Sequence, residues 1–385
     1  MASQPPGSKL QVLIAGGGVA ALEAVLALAQ LAGEQTERTV LAPNAELVNR
    51  PMTVREPFAQ PLAERHELAP ILADAGAGLV ADELARVDPD ARTVHTKGGR
   101  ELSYDVLLLA LGGRVVPRYE HTITIDDRHL NETFQGLVRD VEDGYAKSVA
   151  FIAPGRVAWP LPLYELALMT AGRAYDMNVE LRATLVTPED APLAIFGTGA
   201  STAVAERLAE AQVEVVCSSY AEVPASGKVR ILPGDRQLEV QRIVALPELY
   251  GPEIRGIPLG EHGFIRTGPH GEVRELDGVY AAGDCVDFPV KHGGLASQEA
   301  DAAAEAIAAR AGADVDPRPF DPEIRGMLLT DGKPLYLRAN ITGGQGFSSE
   351  VSDEPLWSPP SKVSSRYLAP YLEARGRAGA SSGRP

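Results

Sequence analysis

Leu10-Gln-Val-Leu-Ile-Ala15 is a nearly all-apolar run that stops on three glycines, Gly16, Gly17 and Gly18, and leads straight into the alanine-rich stretch Val19–Leu31. An apolar run without alternation fits a parallel strand buried on both faces, and the alanine-rich stretch fits a helix. Strand, glycine turn and helix in that order open a doubly wound α/β domain built to hold a dinucleotide. The first glycine turns the chain, another lets backbone approach a pyrophosphate, and Ala21 in place of a third glycine keeps the helix near the strand. Free N–H groups and the positive end of the helix dipole then face the phosphates. The cradle is assigned to Gly16, Gly17, Gly18, Val19, Ala20 and Ala21. The next strand, Thr39-Val-Leu41, ends in Ala42-Pro43-Asn44, where a ribose-binding acid is usual; Asn44 or Glu46 could substitute.

With 385 residues the chain can form two or three domains, each with its own core. A formal net charge of −16 argues against nucleic acid as a partner, because a polyanion is repelled. No stretch reaches the roughly 18–20 apolar residues of a membrane-spanning helix. The polar start, Met1 to Lys9, has no apolar core of a signal peptide, so a cytoplasmic location is expected. Two distant cysteines, Cys217 and Cys285, give neither a disulfide framework nor a cysteine metal site.

Two further motifs follow the first. Tyr104 to Arg114 is an apolar strand closed by a glycine turn, with Ala110, Leu111 and Gly112 at its end. Leu276-Asp277-Gly278-Val279-Tyr280-Ala281-Ala282-Gly283-Asp284 puts a charged acceptor after a second apolar strand. Lys291-His292-Gly293-Gly294 and a helix Leu295–Ala309 come next. A helix starting there aims its N-terminal dipole at whatever lies beside Asp284.

On these motifs the chain resembles the FAD-dependent two-dinucleotide-domain oxidoreductases, in the group of type II NADH dehydrogenases, sulfide:quinone reductases and flavocytochrome sulfide dehydrogenases. The resemblance spans roughly residues 9 to 371. It implies an α/β fold with two Rossmann-like dinucleotide-binding domains. The FAD domain comes in two segments, 9–118 and 251–318. An inserted NAD(P)-binding-like domain occupies 119–250, a C-terminal interface region 319–375, and a disordered tail 376–385. It further implies that Asp284 accepts a hydrogen bond from the ribityl chain. Gly283, Gly294 and Leu295 then sit at the flavin, and Asn49-Arg50-Pro51 is the segment that passes close to it.

The inserted domain departs from its pattern. After the strand Ser148–Ala153 the turn reads Pro154-Gly155-Arg156-Val157-Ala158-Trp159-Pro160-Leu161-Pro162, with one glycine where a nicotinamide-dinucleotide turn has two or three. Trp159 is bulky, and the prolines remove N–H donors from the phosphate cradle. A tight NAD(P)H site is disfavoured, although Glu189 stands where a ribose-binding acid would be and keeps that option open. The resemblance to sulfide:quinone reductases would call for cysteines beside the flavin. Cys217 and Cys285 do not match them, so both are read as small buried residues.

Few side chains qualify for chemistry. Glu165 falls where related reductases carry a glutamate near the flavin; it could relay a proton, or be a first-turn glutamate favoured by the helix dipole. Lys291 or His292 could stabilise the reduced flavin anion. Trp159 and Tyr164 could line the pocket over the ring, and a core role fits them equally. In the C-terminal region, Leu335–Ala339 and Gly343–Phe347 suggest paired strands, and Ser364–Ala374 a short helix with Tyr367, Leu368, Tyr371 and Leu372 on one face. That face fits core packing or a homodimer contact. Because Lys362, Arg366, Arg375, Arg377 and Arg384 surround it, peripheral contact with the inner face of the membrane is the alternative. The expected activity is electron transfer from a small-molecule donor to a quinone, a redox protein or oxygen. An NAD(P)H-dependent reductase and a low-turnover flavin-binding sensor or interaction module are the alternatives.

Overall fold

The computed structural model describes residues 9–341 and 349–382. Its first sheet is five-stranded and wholly parallel, in the order 279–281, 106–109, 10–15, 36–42, 77–81. The outermost of these strands, Val279–Ala281, arrives from far along the chain, after the second sheet, and pairs with Val106–Leu109. All strands of the second five-stranded parallel sheet come from residues 123–245, in the order 123–124, 242–245, 148–152, 182–186, 213–216. Both central strands are buried apolar runs, as parallel strands covered by helices must be.

Helices Val19–Ala32 and Gly293–Arg310 cover one face of the first sheet. They meet through small side chains, Ala20, Ala24 and Ala27 on one and Ala296, Ala300 and Ala303 on the other, all in one core. Gly283 shows how close they come at their starts. A Cβ on it would lie 3.1 Å from the Cβ of Ala20 and 3.5 Å from that of Ala296, and its φ is +83°. Two helix N-termini therefore converge on one point at the end of the sheet.

The C-terminal region is a three-stranded antiparallel sheet, 323–328, 335–340 and 349–352, followed by a helix. The stretch 335–339 does pair, but with Glu323–Leu328 and Ser349–Ser352; Gly343–Phe347 lies outside the described residues. The sheet packs on the inserted domain, where Ile324, Leu328, Leu335 and Leu337 share a core with Leu161, Leu163 and Leu166. The last helix runs from Leu368 to Ser382, beyond the expected end at Ala374 and through Gly376, where a disordered tail was expected.

Its apolar face is used within the chain. Leu368 is 2% exposed, and Tyr367, Tyr371 and Leu372 pack against the core of the first domain. The Tyr371 hydroxyl donates to Asp74 at 2.6 Å, and Arg375 pairs with the same carboxylate at 2.7 Å. Glu23, fully buried on the first helix, accepts the backbone N–H groups of Arg366, Tyr367 and Leu368 at 2.7, 2.9 and 2.6 Å. It thus caps the start of this helix together with the Ser365 hydroxyl, which accepts the Ala369 N–H at 2.7 Å. Of the basic residues expected to face a membrane, Arg384 lies outside the described residues and the others have partners in the chain. Arg366 pairs with Glu305, Arg377 with Glu373, and Lys362 is buried.

Candidate functional site

The glycine turn divides its work between fit and access. Gly16 has φ +132°, and a Cβ there would stand 2.0 Å from the carbonyl oxygen of Ala110, so it packs the first strand against the 106–110 segment. Gly18 differs, since a Cβ on it would meet nothing within 4 Å. It caps the helix Val19–Ala32, and no side chain bonds to that helix end. The N–H groups of the first turn, through Val19, Ala20 and Ala21, therefore face open space with the helix dipole behind them. Asn44 is exposed just past the second strand and its role is carried by position alone.

At the meeting point of the two helices lies Asp284. Its carboxylate is half-buried, and among the described residues no group donates a hydrogen bond to it. Desolvation in the cleft pushes its pKa up, and the nearby charge of Lys291 opposes that rise. Arg50 and Asp127 form a half-exposed ion pair at 3.6 Å within reach of the same field, and Asp127 comes from the inserted domain. The Asn49 Oδ1 and the His292 Nδ1 are buried without a hydrogen-bond partner, two of eight such side-chain atoms among the described residues.

Lys291 and His292 differ from each other: the first reaches Asp284 through its charge, and the second carries none to the cleft. The Lys291 ammonium turns back to donate to the Val286 carbonyl and lies 4.2 Å from the centroid of the Phe264 ring. The His292 imidazole stacks 4.6 Å from Trp159, and burial pushes its pKa down to about 4, with Lys362 adding to the shift. It is neutral at physiological pH. Trp159 itself leans edge-on against Phe196 at 5.8 Å, so it joins the inserted domain to the second flavin segment. Gly294 is tight for a related reason, since a Cβ there would lie 2.8 Å from the His292 ring. Leu295 is 1% exposed, in the core behind the helix start.

Glu165 has no exposure at all, so it is not a solvated first-turn glutamate. Its Oε2 accepts from the Lys362 Nζ at 2.7 Å and its Oε1 from the Leu329 N–H at 2.8 Å. Lys362 donates a second bond, 2.9 Å long, to the carbonyl oxygen of Pro51. Burial pushes the glutamate up and the lysine down, each toward its neutral form, while their mutual attraction holds them charged. One buried ion pair therefore ties the inserted domain and the C-terminal region to the Asn49-Arg50-Pro51 segment. Sequence reasoning missed Lys362, whose only local signal is the stiff Pro359-Pro360 turn in front of it.

The inserted domain's nucleotide turn is crowded by a surface neighbour. A Cβ at Gly155 would meet the ring of Tyr220, itself 53% exposed, at 3.2 Å, so that side chain leans over the turn's one glycine. The helix does not start until Leu161, with Pro160 as its cap and Pro162 in its first turn. Arg156 folds over the Tyr250 ring at 4.5 Å and donates to the Leu249 carbonyl. Glu189, the remaining ribose candidate, accepts from the Tyr164 hydroxyl at 2.7 Å and from Thr187 at 3.0 Å. Tyr164 is fully buried, and so serves that bond and the core rather than the wall of a pocket.

The cysteines supply no redox pair in this arrangement. Cys285 is wholly buried with its Sγ against the carbonyl oxygens of Leu109 and Ala282, and burial pushes its pKa up to about 12. Burial also pushes up Cys217, which sits beyond the strand Val213–Val216 near Glu189. No group of three or more histidine, cysteine or acidic side chains among the described residues is arranged to hold a metal ion. Nor is any described helix long and apolar enough to cross a membrane.

A dinucleotide whose pyrophosphate meets Gly18 and whose polyol meets Asp284 fits the donors and acceptors of the first domain. The sulfide-quinone reductase of Aquifex aeolicus is 26% identical over 200 residues, which is 49% of this chain and 46% of that protein, less than half its length. The solved sulfide:quinone oxidoreductase of Aquifex aeolicus superposes with a TM-score of 0.80 at 18% identity, covering 97% of this chain and 90% of that one. A ferredoxin reductase from Rhodopseudomonas palustris does so with a TM-score of 0.67 at 18% identity, covering 89% and 88%. These likenesses are of fold. The family pattern of the pyridine nucleotide-disulphide oxidoreductases matches residues 10–309. The chain belongs to that family.

Proposed function

We propose that the protein binds FAD in the first domain and passes electrons from a small donor to a quinone, with another redox protein or oxygen as less favoured acceptors. FAD held there would supply the exchange of two electrons. The first-turn N–H groups from Gly18 onward bind its pyrophosphate, and Asp284 accepts from its ribityl chain. The N-terminal dipole of the helix beginning at Gly293 favours negative charge beside it. Glu165 and Lys362 hold a proton between Oε2 and Nζ at the Pro51 carbonyl, within a site from which the C-terminal sheet keeps water.

The observation that carries the choice of partner is the crowded second turn. With Tyr220 on Gly155 and Glu189 bonded to Tyr164, the inserted domain offers a nicotinamide dinucleotide neither a cradle nor a ribose acid. The quinone acceptor is supported by the names of the Aquifex relatives. Anaerobic titration of the yellow protein tests the reading. NADH and NADPH are expected to leave the flavin band unchanged, and a soluble quinone to reoxidise chemically reduced protein rapidly. Rapid bleaching by either nucleotide would overturn it. Pelleting with liposomes tests peripheral contact with the inner face of the membrane.

A further inference from the structure

Behind Asp284, on the other side of Gly283, lies a cavity of about 260 Å³ whose lining includes Thr267, Gly268, Asp287, Phe288, Glu299 and Phe320. Phe288 and Phe320 stand edge to face at 5.2 Å and make its apolar wall. Glu299 is the buried acid of this lining, 8% exposed, and none of the chemistry above employs it. Its Oε2 accepts the N–H of Gly283 at 2.6 Å, one residue before the carboxylate that meets the flavin cleft. A single carboxyl group thus spans the wall between a cavity and the cleft.

The charged groups that face it are few. Lys291, Asp284 and Asp287 all act on it from the 284–291 loop, and the Cys285 thiol lies close by. Glu272, in the loop on the cavity's far side, is engaged with the His270 N–H at 2.9 Å. Burial pushes the Glu299 pKa up to about 8; the Gly283 bond and Lys291 oppose the shift, and Asp284 and Asp287 add to it. At neutral pH the group is therefore mostly protonated, and it ionises where a small change of field in the cleft matters most.

The geometry points to Glu299 as the group that takes a proton from the cavity when the flavin cleft gains negative charge and returns it when the electrons leave. The inference rests on the flavin reading of the cleft. Glu299 is a positioning residue, since it touches Gly283 and acts on the cleft through that bond and its own charge. The balance is simple. Where Glu299 is ionised in the oxidised protein, above about pH 8, a two-electron reduction that leaves negative charge beside Asp284 lets its carboxylate bind up to one proton from solvent in the cavity, and reoxidation releases it. The sign follows by linkage: added negative charge raises the affinity of the carboxylate for a proton, so extra uptake occurs from about pH 8 upward, where the oxidised protein is already ionised.

The test is the midpoint potential of the bound flavin from pH 6 to 10, in the wild type and in Glu299→Gln, whose amide oxygen can still accept from Gly283. Above about pH 8 the wild-type curve is expected to fall more steeply, by up to about one extra proton per flavin, while the variant lacks that added slope. Parallel curves for two flavin-bearing proteins overturn the inference. Should the variant lose its flavin, reduced-minus-oxidised infrared spectra of the wild type at pH 8.5 decide. A gained protonated-carboxyl band supports the inference and its absence overturns it. A wild-type protein that takes up no FAD at all instead removes the flavin reading, which the potential curves cannot do.

Discussion

Lys362→Met is expected to be among the most damaging single changes outside the glycine turn. The Lys362 and Glu165 side chains are 4% and 0% exposed, and their contact is 2.7 Å long. Removing one partner strands the other charge in the interior, which costs about 3–5 kcal/mol. Here the Leu329 N–H still serves one carboxylate oxygen, but the Pro51 carbonyl also loses its donor, so we expect about 4 kcal/mol at pH 7. The loss has a pH signature. With the lysine gone, the folded-state pKa of Glu165 stands further above its unfolded value. The part of the defect that comes from the stranded charge is then absent below the unfolded carboxyl value near 4.5 and grows as pH rises toward the folded value, while the part from the lost Pro51 bond remains at every pH. Lys362→Met combined with Glu165→Leu removes both charges and is expected to regain most of the loss. Urea unfolding followed by tryptophan fluorescence reads this locally, because the Trp357 Nε1 donates to the Ser361 carbonyl next to Lys362. A single variant within about 1 kcal/mol of wild type, with no dependence on pH, would refute the buried pair.

The glycine turn offers a paired test. Gly16→Ala has no room beside the Ala110 carbonyl and should misfold, whereas Gly18→Ala has space and should fold normally yet retain less FAD, as circular dichroism and the flavin-to-protein ratio would show. Glu23→Gln keeps the side-chain shape but weakens the acceptor for three buried N–H groups. It should loosen the final helix by about 1–3 kcal/mol, seen as faster hydrogen exchange over residues 368–377. In the wild type the same exchange should quicken as pH rises through 8, after correction for intrinsic rates. Burial, with Glu23 beside it, pushes Asp301 up to about 8, so stability present at low pH is lost when Asp301 ionises next to Glu23.

What was legible in the sequence was local. Strand, turn and helix are contiguous at Leu10–Ala32, and Val279–Asp284 carries its own periodicity and its own acceptor, so both halves of the cradle could be read without partners. The degenerate turn at Pro154–Pro162 could be read too, because missing glycines and added prolines are local facts. Partnerships across the chain were not. Lys362 lies 197 residues from Glu165, and a lysine in a basic C-terminal stretch carries no mark of burial. Glu189 was placed correctly after its strand, but nothing nearby showed that Tyr164 would reach it. Tyr220 covering Gly155 joins two loops that no pattern connects.

These long-range partnerships give the inserted domain's complete parallel sheet a structural task. In a nucleotide-binding domain, the N-terminus of the helix after the first strand must stay open to the phosphates. Here that helix, Leu161–Asp176, is covered by the C-terminal sheet, and Gly326 lets the sheet approach so closely that a Cβ there would lie 2.6 Å from Phe196 and 3.0 Å from Leu161. Covering the helix makes its fifth residue, Glu165, a buried acid, and only an equally buried base can hold it charged. The C-terminal region supplies that base as Lys362 and anchors it on the Pro51 carbonyl, one residue from the arginine that pairs with Asp127. The second Rossmann-like sheet thus serves as a platform that delivers one ionisable pair to the first domain's cleft.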